Sequence, residues 1–266
     1  MPRNMQDYEA TRASFRWQVP ERFNFATDVV DHYASHGDGM ALIWANSQGQ
    51  EKRYRFSDIS HQSKLAAAAL AARGIGKGDI VLVMTPRIPE WQIAMVACLR
   101  LGAIAIPCIE MLTAKDLAFR INHAGVKGVV CRALQADKFT GLLDGVRARL
   151  SIGGAAPGFD DWDTALAAAD PGINAAEVMA DDPAVLYYTS GSTGMPKGVL
   201  HAARAIYAWR GSAEFWLDLG PGDIIWCTAD VGWSKAGTSI LFGPWSMGAC
   251  SFFYDGPFDP AERLRL

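Results

Sequence analysis

Residues 78–108 read GDIVLVMTPRIPEWQIAMVACLRLGAIAIPC. Ile80–Met84 is a short, unbroken apolar run, the mark of a strand covered on both faces. Pro89 and Glu90 then open a helical stretch, PEWQIAMVACLRLG, that Gly102 closes. Ala103–Ile106 is a second apolar strand. Strand, helix and strand in this order form a βαβ unit, which demands a parallel sheet with helices on its faces. The spacing therefore predicts an α/β fold with mostly parallel sheets.

The same alternation extends both ways. Upstream, Phe25–Ala34 reads as a helix, and ALIWAN and EKRYRF, separated by Ser47–Gln50, read as a hairpin. Ser57 is an expected N-cap for an Ala-rich helix running to about Arg73, with Gly74 as its stop. The first 25 or so residues lack periodicity and are expected to wrap the surface. Downstream, Thr113 caps a helix over AKDLAFRINHAG, and Val126–Cys131 is a strand. Residues 134–182 are weaker and predict one helix among loops. From Ala184 the pattern returns: strand AVLYYT, a Gly-rich loop, strand GVLHA and helix ARAIYAWRGSAEFW. Strand Asp223–Thr228, loop ADVGWSKAG, helix TSILFGPWSMG and strand CSFFY complete it. Two subdomains are expected, roughly 1–180 and 181–266.

Composition narrows the function. The chain has 266 residues, 25 Lys plus Arg against 28 Asp plus Glu, and a net charge of −3. That balance argues against nucleic-acid binding, which rests on neutralising many phosphates. Half the residues are hydrophobic and 20% are charged, so a disordered chain is excluded. Five cysteines stand alone, without CxxC spacing, which sets aside zinc and redox motifs and points to a reducing, cytoplasmic compartment. The uncharged run Ala236–Tyr254 is long enough for a membrane span, but its three glycines and Pro244 read instead as a buried helix turning into a strand. No HExxH, GxSxG or paired carboxylates support a hydrolase.

The sharpest chemical signal is Tyr187–Gly198, YYTSGSTGMPKG. Glycines let a backbone approach an anion and expose successive N–H groups to it. Ser and Thr hydroxyls donate to phosphate oxygens, and a Lys adds a mobile charge. The pattern is not a Walker A loop, because Pro196 stands where Gly is needed and Gly198 follows Lys197. No GxGxxG occurs either. A plain solvated hairpin is the alternative reading of the same composition.

YYTSGSTGMPKGV resembles the phosphate-binding signature of the adenylate-forming enzymes, which include acyl-CoA synthetases, luciferases and nonribosomal-peptide adenylation domains. FNFATDVVDHYA, RYRFSDIS, the 74–108 stretch, LTAKDLAFRIN and TADVGW are similar to medium-chain and acetyl-type acyl-CoA synthetases, so the resemblance covers nearly the whole chain. It implies that a carboxylic acid, ATP and CoA become an acyl-CoA, AMP and pyrophosphate, with Mg2+ accompanying the nucleotide. On this resemblance Thr189, Ser190, Gly191, Ser192, Thr193, Gly194 and Lys197 hold the β- and γ-phosphates. Trp233 matches an aromatic position beside the acyl pocket, with plain core packing as its alternative. Lys235 and Gly237 fall where pocket residues are expected, although Lys235 also reads as a helix-end charge. His201 reads as a structural histidine, and Asp181–Asp182 as a solvated pair.

Family members run well past this length and carry later magnesium, ribose and lid elements. The resemblance therefore implies the N-terminal portion of a large AMP-binding domain, without its lid and with no assignable catalytic residue of its own. The competing expectation is an inactive module that oligomerises through the faces left uncovered.

Overall fold

The computed structural model describes residues 6–190 and 194–266. Gly191, Ser192 and Thr193 of the expected phosphate loop lie outside the described residues. In chain order the helices are α1 (Tyr8–Ser14), α2 (His32–Ser35), α3 (Phe56–Ala71), α4 (Pro89–Arg100) and α5 (Ala114–Ala124). They continue with α6 (Trp162–Ala167), α7 (Ala203–Phe215), α8 (Ser234–Ala236), α9 (Phe242–Ser246) and α10 (Pro260–Arg265). The strands are β1 (Met40–Asn46), β2 (Glu51–Arg55), β3 (Ile80–Met84), β4 (Ile104–Cys108), β5 (Gly128–Arg132) and β6 (Ala148–Ile152). β7 (Asp160–Asp161), β8 (Pro183–Thr189), β9 (Lys197–Ala202), β10 (Ile224–Trp226) and β11 (Cys250–Asp255) follow.

Among the described residues two sheets form. One has seven strands in the order β7-β6-β5-β3-β4-β8-β9, all parallel except the β8–β9 pair. The other has four, β10-β11-β1-β2, with only β1–β2 antiparallel. The α/β architecture read from 78–108 is thus present. Strands from both sides of residue 180 contribute to each sheet.

Helix α4 explains the layering. Every residue except Glu90 is buried, and a helix apolar all round belongs between two layers. One core cluster joins α3 and α4 to Leu42, Trp44 and Phe253 of the small sheet and to Val81, Val83 and Val185 of the large one. The opposite faces of the same large-sheet strands, Leu82 and Met84 among them, pack under Leu117 and Ile121 of α5 in a second cluster. Residues of β3 alternate between these two cores, which is why IVLVM has no polar position.

A buried ion pair ties the N-terminal segment to this core. Arg100, 1% exposed at the end of α4, places Nη1 and Nη2 each 2.8 Å from the Asp31 carboxylate. Ser60 Oγ donates to the same carboxylate at 2.6 Å. Asn24 Nδ2 donates to the Arg100 carbonyl at 3.3 Å and to the Ala176 carbonyl at 3.0 Å. Burial raises the Asp31 pKa, but the hydrogen bonds from Arg100 and Ser60 outweigh it and hold the carboxyl below its ordinary value.

Local differences from the sequence reading have identifiable causes. α3 begins at Phe56, because the Asp58 carboxylate accepts the Arg55 N–H at 2.8 Å while the Ser57 hydroxyl donates to Asp38 at 2.8 Å. The stretch 134–182 adds strands β6 and β7 as well as α6. The helix expected over 238–248 splits into a π-turn, Gly237–Leu241, and α9. Pro244 has no N–H for the Ile240 carbonyl. That carbonyl instead accepts from Gln92 Nε2 at 3.1 Å and Ser251 Oγ at 2.5 Å. Asp182 pairs with Lys77 at 2.7 Å, and Asp181 pairs with Arg204, so both acids are engaged. All five cysteines are free. Among the described residues no helix is long and apolar enough to cross a membrane.

Candidate functional site

Strand β8 carries the Gly-rich loop to one end of the large sheet. Its Ala184–Tyr187 core is buried, and it runs parallel to β4. The loop therefore leaves at the carboxyl end of the parallel strands, where open α/β sheets bind ligands. β9 returns antiparallel, pairing Tyr188 with Gly198 and Thr189 with Lys197. Gly194 adopts φ +100, a conformation that L side chains resist. Thr189, Ser190 and Lys197 are all exposed at the mouth. Among the described residues Lys197 has no carboxylate partner, which leaves its charge free for an anion.

The loop residues face a cleft of about 220 Å³ whose walls include Tyr188, Thr189, Ser190, Pro196, Arg120, Ile109 and Trp233. Trp233 is 61% exposed there, so it is not a core residue. Its position depends on Gly232. A Cβ at Gly232 would lie 2.6 Å from Ile109 Cγ2 and 2.8 Å from the Ile109 backbone nitrogen. Only hydrogen fits, so the 230–233 turn lies directly on the end of β4. Asp230 closes that turn, with Oδ1 accepting the Val231 N–H at 2.8 Å and its carbonyl accepting the Trp233 N–H at 3.2 Å.

A second cleft, about 290 Å³, opens on the other face of β8, with Tyr187, Thr189, Val199, His201, Trp209, Ser234 and Thr238 in its walls. Thr189 borders both clefts. His201 lies between the rings of Tyr187 and Trp209, at centroid distances of 5.6 and 5.5 Å, and burial lowers its pKa. Lys235 and Gly237 line neither cleft. Lys235 Nζ stands 4.2 Å over the Trp216 ring. Gly237 is a packing position, where a Cβ would meet Trp209 at 2.8 Å and Tyr187 Oη at 2.9 Å. Sequence reasoning missed Arg120, and it quoted Tyr188 and Gly232 within the motifs YYTSGSTGMPKGV and TADVGW without giving either a role.

The chemistry open to this arrangement is anion binding and charge stabilisation. Burial pushes the Cys108 thiol beside the first cleft up to about 12, so it stays protonated and is no nucleophile. Among the described residues no three His, Cys, Asp or Glu side chains converge on a metal position. Residues 30–266 match the AMP-binding enzyme family. The chain is 30% identical over 277 residues to the human mitochondrial acyl-coenzyme A synthetase ACSM3, which covers 99% of this chain and 47% of that protein. It is 35% identical over 261 residues to mouse mitochondrial acyl-coenzyme A synthetase ACSM5, covering 94% of this chain and 45% of that protein. It is 36% identical over 256 residues to the uncharacterized acyl–CoA ligase YtcI of Bacillus subtilis (strain 168), covering 93% of this chain and 47% of that protein. The crystal structure of a Brucella canis acyl-CoA synthetase superposes with a TM-score of 0.86 at 25% identity, over 98% of this chain and 48% of that one. The chain thus spans about half the length of these relatives. By the match over residues 30–266, the chain belongs to the AMP-binding enzyme family.

Proposed function

We propose that this chain supplies the phosphate-binding portion of an AMP-forming acyl-CoA synthetase. The observation that carries the reading is the hairpin at the carboxyl end of the large sheet, where Lys197, without a carboxylate partner among the described residues, stands beside exposed hydroxyls. In the proposed reaction a carboxylate oxygen attacks the α-phosphorus of ATP. The bond to the β-phosphate breaks, and pyrophosphate leaves. CoA thiolate then attacks the acyl carbonyl carbon, and AMP departs with its phosphate oxygen.

Negative charge grows on the departing pyrophosphate, so donors aimed there lower the barrier. Thr189 and Ser190 hydroxyls and the Lys197 ammonium would supply them, and Gly194 allows the close backbone approach. Gly191, Ser192 and Thr193 join this set by family resemblance. Mg2+ would enter as the counter-ion of the triphosphate, since the described residues assemble no metal site of their own. Trp233 would border the reacting carboxylate, while Lys235 and Gly237 would act outside that wall, Lys235 against Trp216 and Gly237 by letting Trp209 and Tyr187 pack closely. The five free cysteines suit a reducing compartment such as the cytoplasm.

Isothermal calorimetry of this chain with pyrophosphate tests the reading. Lys197→Ala should weaken binding about 10- to 100-fold, the worth of a charge-assisted hydrogen bond. Equal affinities would remove Lys197 from the site. No binding by the unmodified chain, together with a stable oligomer in light scattering, would favour the oligomerisation module instead.

A further inference from the structure

The β8–β9 hairpin stands at one edge of the large sheet. β8 registers with β4 at Ala105 and Val185, and the pairing of Tyr187, Tyr188 and Thr189 is to β9. β9 is the sheet edge, and Val199 and Leu200 on it are 41% and 53% exposed. The loop's base therefore needs another support.

Helix α5 provides one. It is rigidly ended, with Asp116 accepting the Thr113 N–H at 2.9 Å, Thr113 Oγ1 accepting the Asp116 N–H at 3.3 Å, and Gly125 at φ +67. Three of its side chains enclose the Tyr188 ring. Phe119 meets it edge-on at 6.1 Å, and the Arg120 guanidinium lies 5.0 Å over its face. His123 Nδ1 is 2.8 Å from Tyr188 Oη, and its ring stacks on Phe119 at 5.2 Å. The imidazole also reaches the opposite strand. His123 Cε1 would stand 3.7 Å from a Cβ at Gly198, the register partner of Tyr188. The two groups share one hydrogen bond, in which the phenol donates or accepts according to the imidazole tautomer.

We propose that His123 is a positioning residue for the phosphate loop. Through its hydrogen bond to Tyr188 Oη, with its ring beside Gly198 of the facing strand, it fixes the base of the hairpin. That in turn fixes the direction in which Thr189 and Lys197, the next pair outward, present their polar groups. The inference rests on reading 189–197 as the phosphate loop, but the clamp itself can be tested without any ligand.

The test uses four variants: His123→Phe keeps the stacking and removes the hydrogen bond, His123→Asn restores a polar partner near the Nδ1 position, Tyr188→Phe removes the hydroxyl, and the fourth combines His123→Phe with Tyr188→Phe. Amide hydrogen exchange over 187–189 and 197–199 should quicken about 3- to 10-fold in His123→Phe, the worth of one net hydrogen bond. It should return towards the original rate in His123→Asn. Tyr188→Phe and the double variant should match His123→Phe, because one bond is lost in each. Unchanged exchange in His123→Phe, or additive effects in the double variant, would overturn the clamp. Pyrophosphate affinity should fall by a similar factor in His123→Phe, with a drop in melting temperature of no more than about 6 °C. If the unmodified chain binds pyrophosphate and His123→Phe binds it equally well, the positioning role is refuted. If the unmodified chain binds none, the phosphate-loop reading fails, and the exchange rates still decide the clamp.

Discussion

Gly232→Ala is the most direct probe of how the cleft is built. The added Cβ would lie 2.6 Å from Ile109 Cγ2 and 2.8 Å from the Ile109 backbone nitrogen, against 3.4 Å for ordinary contact. A side chain can rotate away, but the nitrogen belongs to the chain leaving β4 and cannot. The 230–233 turn must therefore retreat by about 0.6 Å, and Trp233 with it. Gly232 has no left-handed φ, so the cost is overpacking alone, about 1–3 kcal/mol. For a domain of this size that lowers the melting temperature by about 2–12 °C. Differential scanning calorimetry measures it directly. Gly76→Ala is the matched control, because a Cβ there meets nothing within 4 Å and its φ is not positive; it should shift stability by less than about 0.5 kcal/mol. Ile109→Ala should not rescue Gly232→Ala, since it removes Cγ2 and leaves the nitrogen. A Gly232→Ala protein as stable as the control would refute the close packing of the turn on β4. Full rescue by Ile109→Ala would refute the assignment of the clash to backbone.

Two further outcomes follow from buried polar groups. Asp31→Asn leaves the buried Arg100 guanidinium without its counter-charge and should cost about 3–5 kcal/mol at neutral pH. Because the folded Asp31 pKa lies below its ordinary 3.8, that stability is complete above this value and is lost as pH falls through the folded pKa. Melting curves of the two proteins should converge below about pH 4, and a constant gap down to pH 2 would sink the ion-pair account. Tyr187→Phe should be neutral or stabilising by up to about 1 kcal/mol, because the buried Tyr187 Oη has no hydrogen-bond partner; a measured loss above about 1 kcal/mol would mean that the hydroxyl has one.

Much of the architecture was legible in the sequence because single residue types report single constraints. The polar-free IVLVM run could only be a strand between two covers, and Gly102 and Gly125 ended α4 and α5 as helix-stop glycines do. Thr113 capped α5 as its sequence promised. The weak point was 134–182, where β6 alternates less cleanly and β7 has only two residues. Neither strand has enough periodicity of its own, and each exists because the neighbouring edge offers hydrogen bonds. The π-turn at 237–241 was hidden for a related reason, since one partner of its Ile240 carbonyl, Gln92, is 148 positions away. At the site, the loop announced itself by composition. Its supports did not: Arg120 and His123 reach Tyr188 across 65 residues or more, and no local pattern encodes such an encounter.

The pairing of β1 with β11 also dictates a timetable. Trp245 Nε1 donates to the Ala41 carbonyl 204 positions earlier, and Leu42 registers with Ser251. A ribosome adding about 5–20 residues per second needs about 10–40 s between these partners. During that interval β1 and β2 have emerged as an unpartnered hairpin, while β3, β4, β5 and β6 can already join one another. The unpaired edge of β1 is thus what a nascent chain must keep from misassociating, and synthesis speed from β1 to β11 sets how long it stays open.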